Sequence, residues 1–222
     1  MLVLPNGMKL TRTGAERALS LLLLFGVLLA PALQAQVRIQ VKGLKGVATY
    51  GAPTSPATLP LQKGTAVPVG AVVRTGSGSA IDLAFSHSAG TVRLAQNSTL
   101  SIDKFTSAEP PGTAVEIQLN LLDGTMAGFD KKLSSASKYQ IRVSRGIADV
   151  GGSKYRINAQ GYLVLLDGTA LFVFVPPSGE PVPFELKAPP PVYFSPLEGV
   201  RPAPDQLVRE VVLQSKGQLR GR

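Results

Sequence analysis

Three short runs of alternating apolar and polar residues lie close together in Gly70–Phe105, and they leave little choice of fold. Successive side chains of a β-strand point to opposite faces of a sheet, so this alternation is typical of strands with one buried face. Gly, Ser and Asn cluster between the runs, at Thr75–Ser79 and Ser86–Gly90, and tolerate the dihedral angles of turns. The segment therefore predicts a β-meander. Its apolar positions are Ile81, Leu83, Phe85, Val92, Leu94, Leu100 and Ile102.

The chain beyond this segment also favours β-structure. Val115–Leu121 places four apolar residues on one face and three polar residues on the other. Tyr162–Leu166 and Ala170–Val175 are almost entirely apolar, which indicates strands that are covered on both faces. We therefore predict an all-β fold, in which an antiparallel meander forms a sandwich or a curled two-layer sheet.

One pentapeptide occurs twice, as Leu121–Thr125 and again as Leu165–Thr169. Asp-Gly between extended segments is a strong hairpin signal, because Gly accepts a positive φ and Asp tolerates one. We expect the two copies to form equivalent hairpin corners. A carboxylate in such a turn usually bonds its own backbone, so we do not expect paired catalytic acids there.

Several short motifs follow one another in a characteristic order over about residues 41–157. They are Val69-Gly70, Thr75–Ser79, Gly90–Leu94, Asn97–Leu100, and Tyr139–Val143 leading into Gly146–Tyr155. Together they resemble the FecR domain, the extracytoplasmic module of ferric-citrate-type regulators and of many secreted proteins. The chain departs from the family pattern at Gly151, where Arg is usual, at Ser153, where Thr is usual, and in its longer first hairpin, Ser86–Gly90.

The N-terminal residues predict an exported protein. Met1–Ala35 has a basic front, a mainly apolar run of twelve residues at Leu19–Ala30 and a small residue at its end, as in a signal peptide. A membrane-spanning helix needs about 20 apolar residues, so we favour cleavage over anchoring. We expect a periplasmic or secreted protein, cleaved after Ala35 or Ala32, with its true start at Met1 or Met8.

The same segment bears on regulation. The resemblance implies that a regulator of the ferric-citrate kind would carry a cytoplasmic domain that binds a sigma factor. Only 18 residues precede Leu19, too few for a domain. We therefore expect a stand-alone outer module without direct sigma-factor contact.

We divide the remaining chain into three parts. Residues 36–175 are predicted to form the FecR-like β domain. Residues 176–204 hold ten of the eighteen prolines and are expected to pack on that domain as an extended segment. Residues 205–222 are expected to contain a short amphipathic helix, Gln206–Gln214, and a tail.

Two surfaces are candidates for binding. Pairing of Tyr139–Val143 with Lys154–Ile157 as a hairpin would place four cations on one face, where they would repel one another unless an anion or acidic neighbours offset the charge. We therefore interpret them as a site for an anionic envelope polysaccharide, or else as a solvated row that protects the sheet edge. These cations are Lys138, Arg142, Lys154 and Arg156.

The second surface is the apolar stripe of the predicted helix, which either docks on its own domain or binds an envelope protein. The stripe consists of Leu207, Val208, Val211 and Val212. The formal net charge of +9 favours anionic partners, but the cations are scattered and we expect no nucleic acid.

Catalytic signals are sparse. The chain has no Cys and one His, which excludes thiol chemistry and the usual zinc and iron sites. His87 lies in a predicted turn, and we expect neither a cofactor nor a metal. A glycan hydrolase built on isolated carboxylates such as Asp82 or Asp103 would need two of them about 5–10 Å apart in a cleft.

The sequence thus predicts a non-enzymatic FecR-type β domain that acts as a binding or scaffolding module at the cell envelope. The alternative is an envelope signalling component that acts through a separate membrane partner. A glycan-acting hydrolase is the least favoured function.

Overall fold

The computed structural model describes residues 38–54, 58–87, 89–110, 113–129 and 133–219, with side chains described as far as residue 214. The predicted signal peptide, Met1–Ala35, lies outside the described residues. Within the described part, the chain forms seventeen strands and one helix.

The strands are β1 (Ile39–Lys45), β2 (Ala48–Gly51), β3 (Leu59–Pro60), β4 (Ala66–Val67), β5 (Val72–Thr75), β6 (Ala80–Phe85), β7 (Thr91–Leu94), β8 (Thr99–Ser107), β9 (Val115–Asp123), β10 (Thr125–Phe129), β11 (Lys138–Val143), β12 (Gly146–Asp149), β13 (Lys154–Asn158), β14 (Leu163–Phe174), β15 (Val182–Ala188), β16 (Val192–Ser195) and β17 (Gly199–Pro202). The helix is α1 (Asp205–Leu219).

The strands build two hydrogen-bonded layers. The first layer has the order β4-β1-β6-β7-β10-β13-β14-β16-β17. The second has the order β3-β2-β5-β8-β9-β11-β12-β14-β15. Strand β14 belongs to both, because it crosses from one layer to the other between Asp167 and Gly168. The predicted all-β, two-layered class is confirmed.

The core lies between the layers. Ring contacts join the two layers directly, with centroid distances of 5.2 Å between Phe85 and Phe105 and 6.5 Å between Tyr139 and Tyr155. Every apolar position predicted from the alternation in Gly70–Phe105 is buried, with 4% or less of its surface exposed. The prediction of one buried face per strand is therefore confirmed for this segment.

The pairing of these strands differs from a simple meander. β6 and β7 form an antiparallel pair in the first layer, whereas β5 and β8 pair with each other in the second. The chain thus changes layers twice, before β6 and again before β8. One further pair departs from the antiparallel pattern, since β11 runs parallel to β9.

The repeated pentapeptide marks two crossings between layers. β9 ends at Asp123 in the second layer and β10 begins at Thr125 in the first, while Asp167-Gly168 lies inside β14. The prediction of hairpins was wrong, because the positive φ that Gly allows can bend a strand between layers as well as reverse it. The two copies are nevertheless equivalent corners, with φ of 78° at Gly124 and 97° at Gly168. As predicted, Asp123 bonds its own turn, where Oδ1 accepts the Gly124 N–H at 2.7 Å.

At three crossings a glycine packs against a buried serine from the neighbouring crossing. A Cβ on any of these glycines would overlap the serine hydroxyl. The serine also bonds the residue after the glycine: Val47 N and Thr125 N donate to Oγ at 2.9 and 3.0 Å, and the third serine donates to Thr169 O at 2.8 Å. The pairs are Gly46 with Ser79, Gly124 with Ser98, and Gly168 with Ser153.

The Pro-rich segment supplies strands at the edges of the sheet. β15 ends the second layer, and β16 and β17 end the first. Phe194 packs on Phe184 and Phe172 at centroid distances of 4.8 and 4.7 Å. α1 follows, beginning one residue before the predicted helix, extending beyond its predicted end, and contacting β10 and β14 of the first layer. Among the described residues, no helix has the length and apolar character needed to cross a membrane.

Candidate ligand groove beneath the C-terminal helix

The four cations predicted to share a face lie on two different layers. Lys138 and Arg142 belong to β11 in the second layer, and Lys154 and Arg156 to β13 in the first. β11 pairs with β9 and β12, so the predicted hairpin does not form. The alternation within each strand was right, but the inward-facing tyrosines of the two strands meet across the core. The cations therefore point outward on opposite sides of the molecule.

Three of these cations have acidic neighbours. Lys154 Nζ lies 4.0 Å from Asp167 Oδ2, and Arg156 Nη1 lies 3.2 Å from Glu210 Oε2. Lys138 stands opposite Glu116, whose pKa is lowered mainly by the hydrogen bond from Lys104. The four cations do not repel one another as a group, because the two layers separate them into pairs and three of the four have an acidic neighbour.

A groove of about 260 Å³ lies on the outer face of the first layer, beside α1. Its floor is a row across three strands, in which Val164 stands between Arg156 and Tyr193. We call it the tyrosine groove. It is lined by Thr125, Arg156, Asn158, Tyr162, Val164, Tyr193 and Leu207.

Two stacked tyrosines form one wall of the tyrosine groove. The rings of Tyr162 and Tyr193 are nearly parallel, with centroids 6.2 Å apart and planes inclined by 20°. Burial raises the pKa of Tyr193 above its ordinary value. Each ring combines an apolar face with one polar hydroxyl group, a combination suited to a ligand that has both apolar and polar parts.

The turn that carries Tyr162 is fixed by Asn158. Asn158 Oδ1 accepts the backbone N–H of Gln160 at 3.1 Å and that of Tyr162 at 2.9 Å. An Asn side chain commonly bonds the backbone two residues on in this way. The stacked wall is therefore held in place before any ligand arrives.

Arg156 is the charged group of the groove, and its hydrogen bonding is incomplete. Nη1 donates to Glu210, while Nε is buried without a hydrogen-bond partner among the described residues. A buried donor left unpaired costs about 1–3 kcal/mol. The groove thus contains a guanidinium that can donate a further hydrogen bond to an anionic or carbonyl oxygen.

α1 is held against the first layer at several points. Val211 is fully buried, and Ala127 and Val164 are buried on the same outer face. Arg93 Nη1 donates to the Gln214 carbonyl at 2.9 Å, while Nε and Nη2 bind both oxygens of Asp82 at 2.6 Å each.

The helix stripe predicted to bind a partner therefore docks on its own domain. Its central residue, Val211, is covered by the first layer, and Leu207 lines the tyrosine groove. Val208 and Val212 are half-buried. This arrangement matches the alternative of docking on the chain's own domain, while binding of an envelope protein by the stripe stays a prediction.

The residues considered for catalysis are not brought together. Asp82 lies in the first layer under Arg93, whereas Asp103 lies in the second and accepts the Ser101 hydroxyl at 2.6 Å. His87 Nδ1 lies 3.3 Å from Ser86 Oγ, which already accepts the Arg38 N–H at 2.9 Å. Within the described ranges, no group of three or more His, Cys, Asp or Glu residues could hold a metal ion.

Sequence reasoning missed most of the tyrosine groove. Of its lining residues only Arg156 and Leu207 were singled out as site candidates, in two unrelated hypotheses. Tyr162 and Tyr193 are 31 positions apart, and each reads as an ordinary packing residue of its own strand. Their pairing depends on β16 lying next to β14, which no local pattern predicts.

Residues 71–171 match the family model described as FecR protein. Residues 71–171, a little under half of the chain, are therefore similar to the FecR domain that the sequence motifs indicated. No curated protein matches the chain. Among solved structures, a proposed anti-sigma factor from Parabacteroides distasonis ATCC 8503 is similar, at 11% identity and a TM-score of 0.42. The match covers 59% of this chain and 57% of that one, and similarity at this level carries no argument about function.

The FecR domain connects the chain to envelope signal transduction, and its family is non-enzymatic. The serines of the three glycine–serine crossings lie in or next to the motifs that carried the resemblance, namely Thr75–Ser79, Asn97–Leu100 and Gly146–Tyr155. The tyrosine groove spans the end of the FecR match. Five of its lining residues fall inside residues 71–171, and Tyr193 and Leu207 follow it.

Proposed function

We propose that this FecR-domain protein is a non-enzymatic binding module of the cell envelope, and that it holds a carbohydrate chain in the tyrosine groove. The observation that carries the proposal is the stacked pair Tyr162–Tyr193 beside Arg156. Ligand sites are typically concave and aromatic, with a few fixed polar groups that orient the ligand.

The chemistry of the groove fits a sugar. One face of a sugar ring carries mainly C–H groups and can pack on a tyrosine ring, while its hydroxyls require donors and acceptors at the edge. The groove offers Arg156, Asn158 and the tyrosine hydroxyls for that purpose. Its volume of about 260 Å³ is close to the lower end of ordinary ligand pockets, about 300 Å³, and suits a short stretch of a longer chain.

Location at the envelope rests on the predicted signal peptide and on the FecR domain. Binding rather than catalysis is supported by the separate environments of Asp82 and Asp103, each engaged by its own neighbour. An envelope module of this kind would recognise or organise a polymer without changing it.

Isothermal titration of the purified protein against short oligosaccharides tests this function. Tyr193→Ala removes one of the stacked rings and should weaken binding about twofold to tenfold, since aromatic contacts contribute about 0.5–1.5 kcal/mol beyond their buried area. Tyr50→Ala, on β2 of the second layer, is the matched control and should leave the affinity unchanged. Equal affinity in wild type and Tyr193→Ala would refute the groove as the site.

The second function to test is signalling through a separate membrane partner, which the FecR domain favours. Pull-downs from envelope extracts at rising salt distinguish the two. A charged polymer should elute as salt screens its contacts, whereas a protein docked through apolar contacts should remain bound. Recovery of one membrane protein that resists salt, with no carbohydrate, would favour signalling.

A further inference from the structure

We infer that the tyrosine groove selects sugars that carry a carboxylate, and that Glu210 of α1 is an internal competitor for the same guanidinium. This inference rests on the proposed carbohydrate function, and it specifies the ligand class and how access to the groove is controlled. It follows from the way Arg156 is bonded.

Arg156 is engaged on one side only. Its contact with Glu210 is a single bond at 3.2 Å from Nη1, and Nε is buried without a partner among the described residues. A guanidinium binds a carboxylate best through two parallel N–H···O bonds. A carboxylate ligand that reached both Nε and an Nη group would satisfy the fork more fully than Glu210 does.

Glu210 is well placed to give way. Its side chain is 43% exposed, against 26% for Arg156, so its carboxylate can turn toward solvent. An exposed ion pair of this kind contributes only about 0–1 kcal/mol. The Arg156–Glu210 ion pair therefore competes weakly with a ligand for Arg156 and does not block the groove.

The surroundings favour an anion over a neutral ligand. The row of side chains across the floor continues from Tyr193 to Arg201, so that cations stand at both ends of the row, on either side of Val164 and Tyr193. Arg201 Nε lies 3.8 Å from Glu198 Oε2. The Arg201 side chain is 58% exposed and the Glu198 side chain 49%. A ligand lying along the row with its carboxylate at Arg156 would approach a second cation, Arg201, at the other end of the row.

Binding and helix docking are therefore linked. When a carboxylate takes the place of Glu210, α1 loses its ionic contact with β13. It still has the buried side chain of Val211 and the hydrogen bond from Arg93 to the Gln214 carbonyl. The first half of α1 should then open to hydrogen exchange, while the β-layers should not. No covalent step is involved, and the displaced Glu210 carboxylate becomes hydrated by solvent.

Two matched probes test this inference on the full chain: a trisaccharide of galacturonic acid, and the methyl ester of the same trisaccharide, which has the same rings and no charge. Wild type should bind the acid at least fivefold more tightly than the ester. Glu210→Gln keeps the shape of the side chain and should raise affinity for the acid about threefold to fivefold, the effect expected for removing an exposed ionic competitor, with no change for the ester. Arg156→Gln should abolish the preference for the acid.

Glu185→Gln, an exposed residue of β15 in the second layer, removes the same charge elsewhere and should alter neither affinity. Hydrogen exchange of residues 205–214 should increase with the acid and not with the ester. If both probes bind wild type equally and Glu210→Gln changes neither, the inference is overturned while the carbohydrate function stands. If neither probe nor any neutral oligosaccharide binds, the carbohydrate function itself fails.

Discussion

The hydroxyl of Ser98 occupies the space into which a side chain at Gly124 would project, and it accepts the N–H of the next residue, Thr125, at 3.0 Å. This contact joins two neighbouring crossings between the layers. Similar contacts join Gly46 to Ser79 and Gly168 to Ser153. The line along which the sheet folds into two layers is therefore built from small residues that pack directly on one another.

Gly124→Ala should destabilise the protein by about 2–4 kcal/mol, because it adds a strained backbone conformation to a clash with the backbone of Asn97 and Ser98. Urea unfolding measures the effect. Gly64→Ala is the matched control, since its φ of 93° imposes the same kind of strain and nothing lies within 4 Å of the added methyl group. The control should cost about 1 kcal/mol, and equal losses in the two variants would contradict the proposed role of the serine contact.

Ser98→Ala should cost about 1–3 kcal/mol, because the Thr125 N–H then lies in a part-buried position without its acceptor. Thermal unfolding, with the change in midpoint converted to free energy, is the measurement. Ser77→Ala changes an exposed serine of the neighbouring turn and should have almost no effect. An unchanged midpoint for Ser98→Ala would show that water replaces the lost hydroxyl.

The strands of this fold were predictable, but their partners were not. Alternation fixed which face of β6, β7 and β8 is buried, since Leu83, Val92 and Leu100 have to leave water wherever the strands lie. Whether an Asp-Gly pair reverses the chain or bends it between layers depends on what the next strand can pair with. That choice is made by the whole sheet, so both copies of the pentapeptide were assigned to hairpins.

The site shows the same limit. The alternation of side chains along β11 and β13 correctly predicted that Arg142 and Arg156 face outward. It did not determine the layer of each strand, because Tyr139 and Tyr155 satisfy the inward positions equally well from one layer or from two. The groove beside Arg156 needs Tyr193 and α1, which approach it only through tertiary packing.

Alkaline pH should weaken both stability and binding through Tyr193. Burial raises the pKa of this phenol, so the folded state favours the neutral form. Its contribution is fully present below the pKa of the unfolded phenol, about 10, and is lost as the pH rises through the higher folded value. The difference between the ultraviolet titrations of wild type and Tyr193→Phe should isolate one phenol that ionises above the ordinary pKa of tyrosine, about 10. A Tyr193 signal at the ordinary pKa would contradict its burial.

Arg93→Gln should release the C-terminal part of α1 without unfolding the β-layers. Arg93 is the one described side chain that bonds both a carboxylate of the first layer, Asp82, and the backbone of α1, at the Gln214 carbonyl. Because Gln is shorter and uncharged, it cannot keep both contacts. Hydrogen exchange near residue 214 should rise strongly. In β6 and β7 the free energy of opening should fall only by the contribution of the lost charged pair, about 1–3 kcal/mol.

Arg142→Gln is the control for this experiment, because it removes an exposed cation from the second layer, far from α1. Its exchange pattern should match that of wild type. If Arg93→Gln leaves α1 as protected as before, apolar packing around Val211 must hold the helix, and the polar contacts of α1 with Arg93 and Arg156 are secondary. If instead α1 opens in Arg93→Gln and carboxylate ligands bind more tightly to that variant, the helix and the ligand compete for the same face of the first layer.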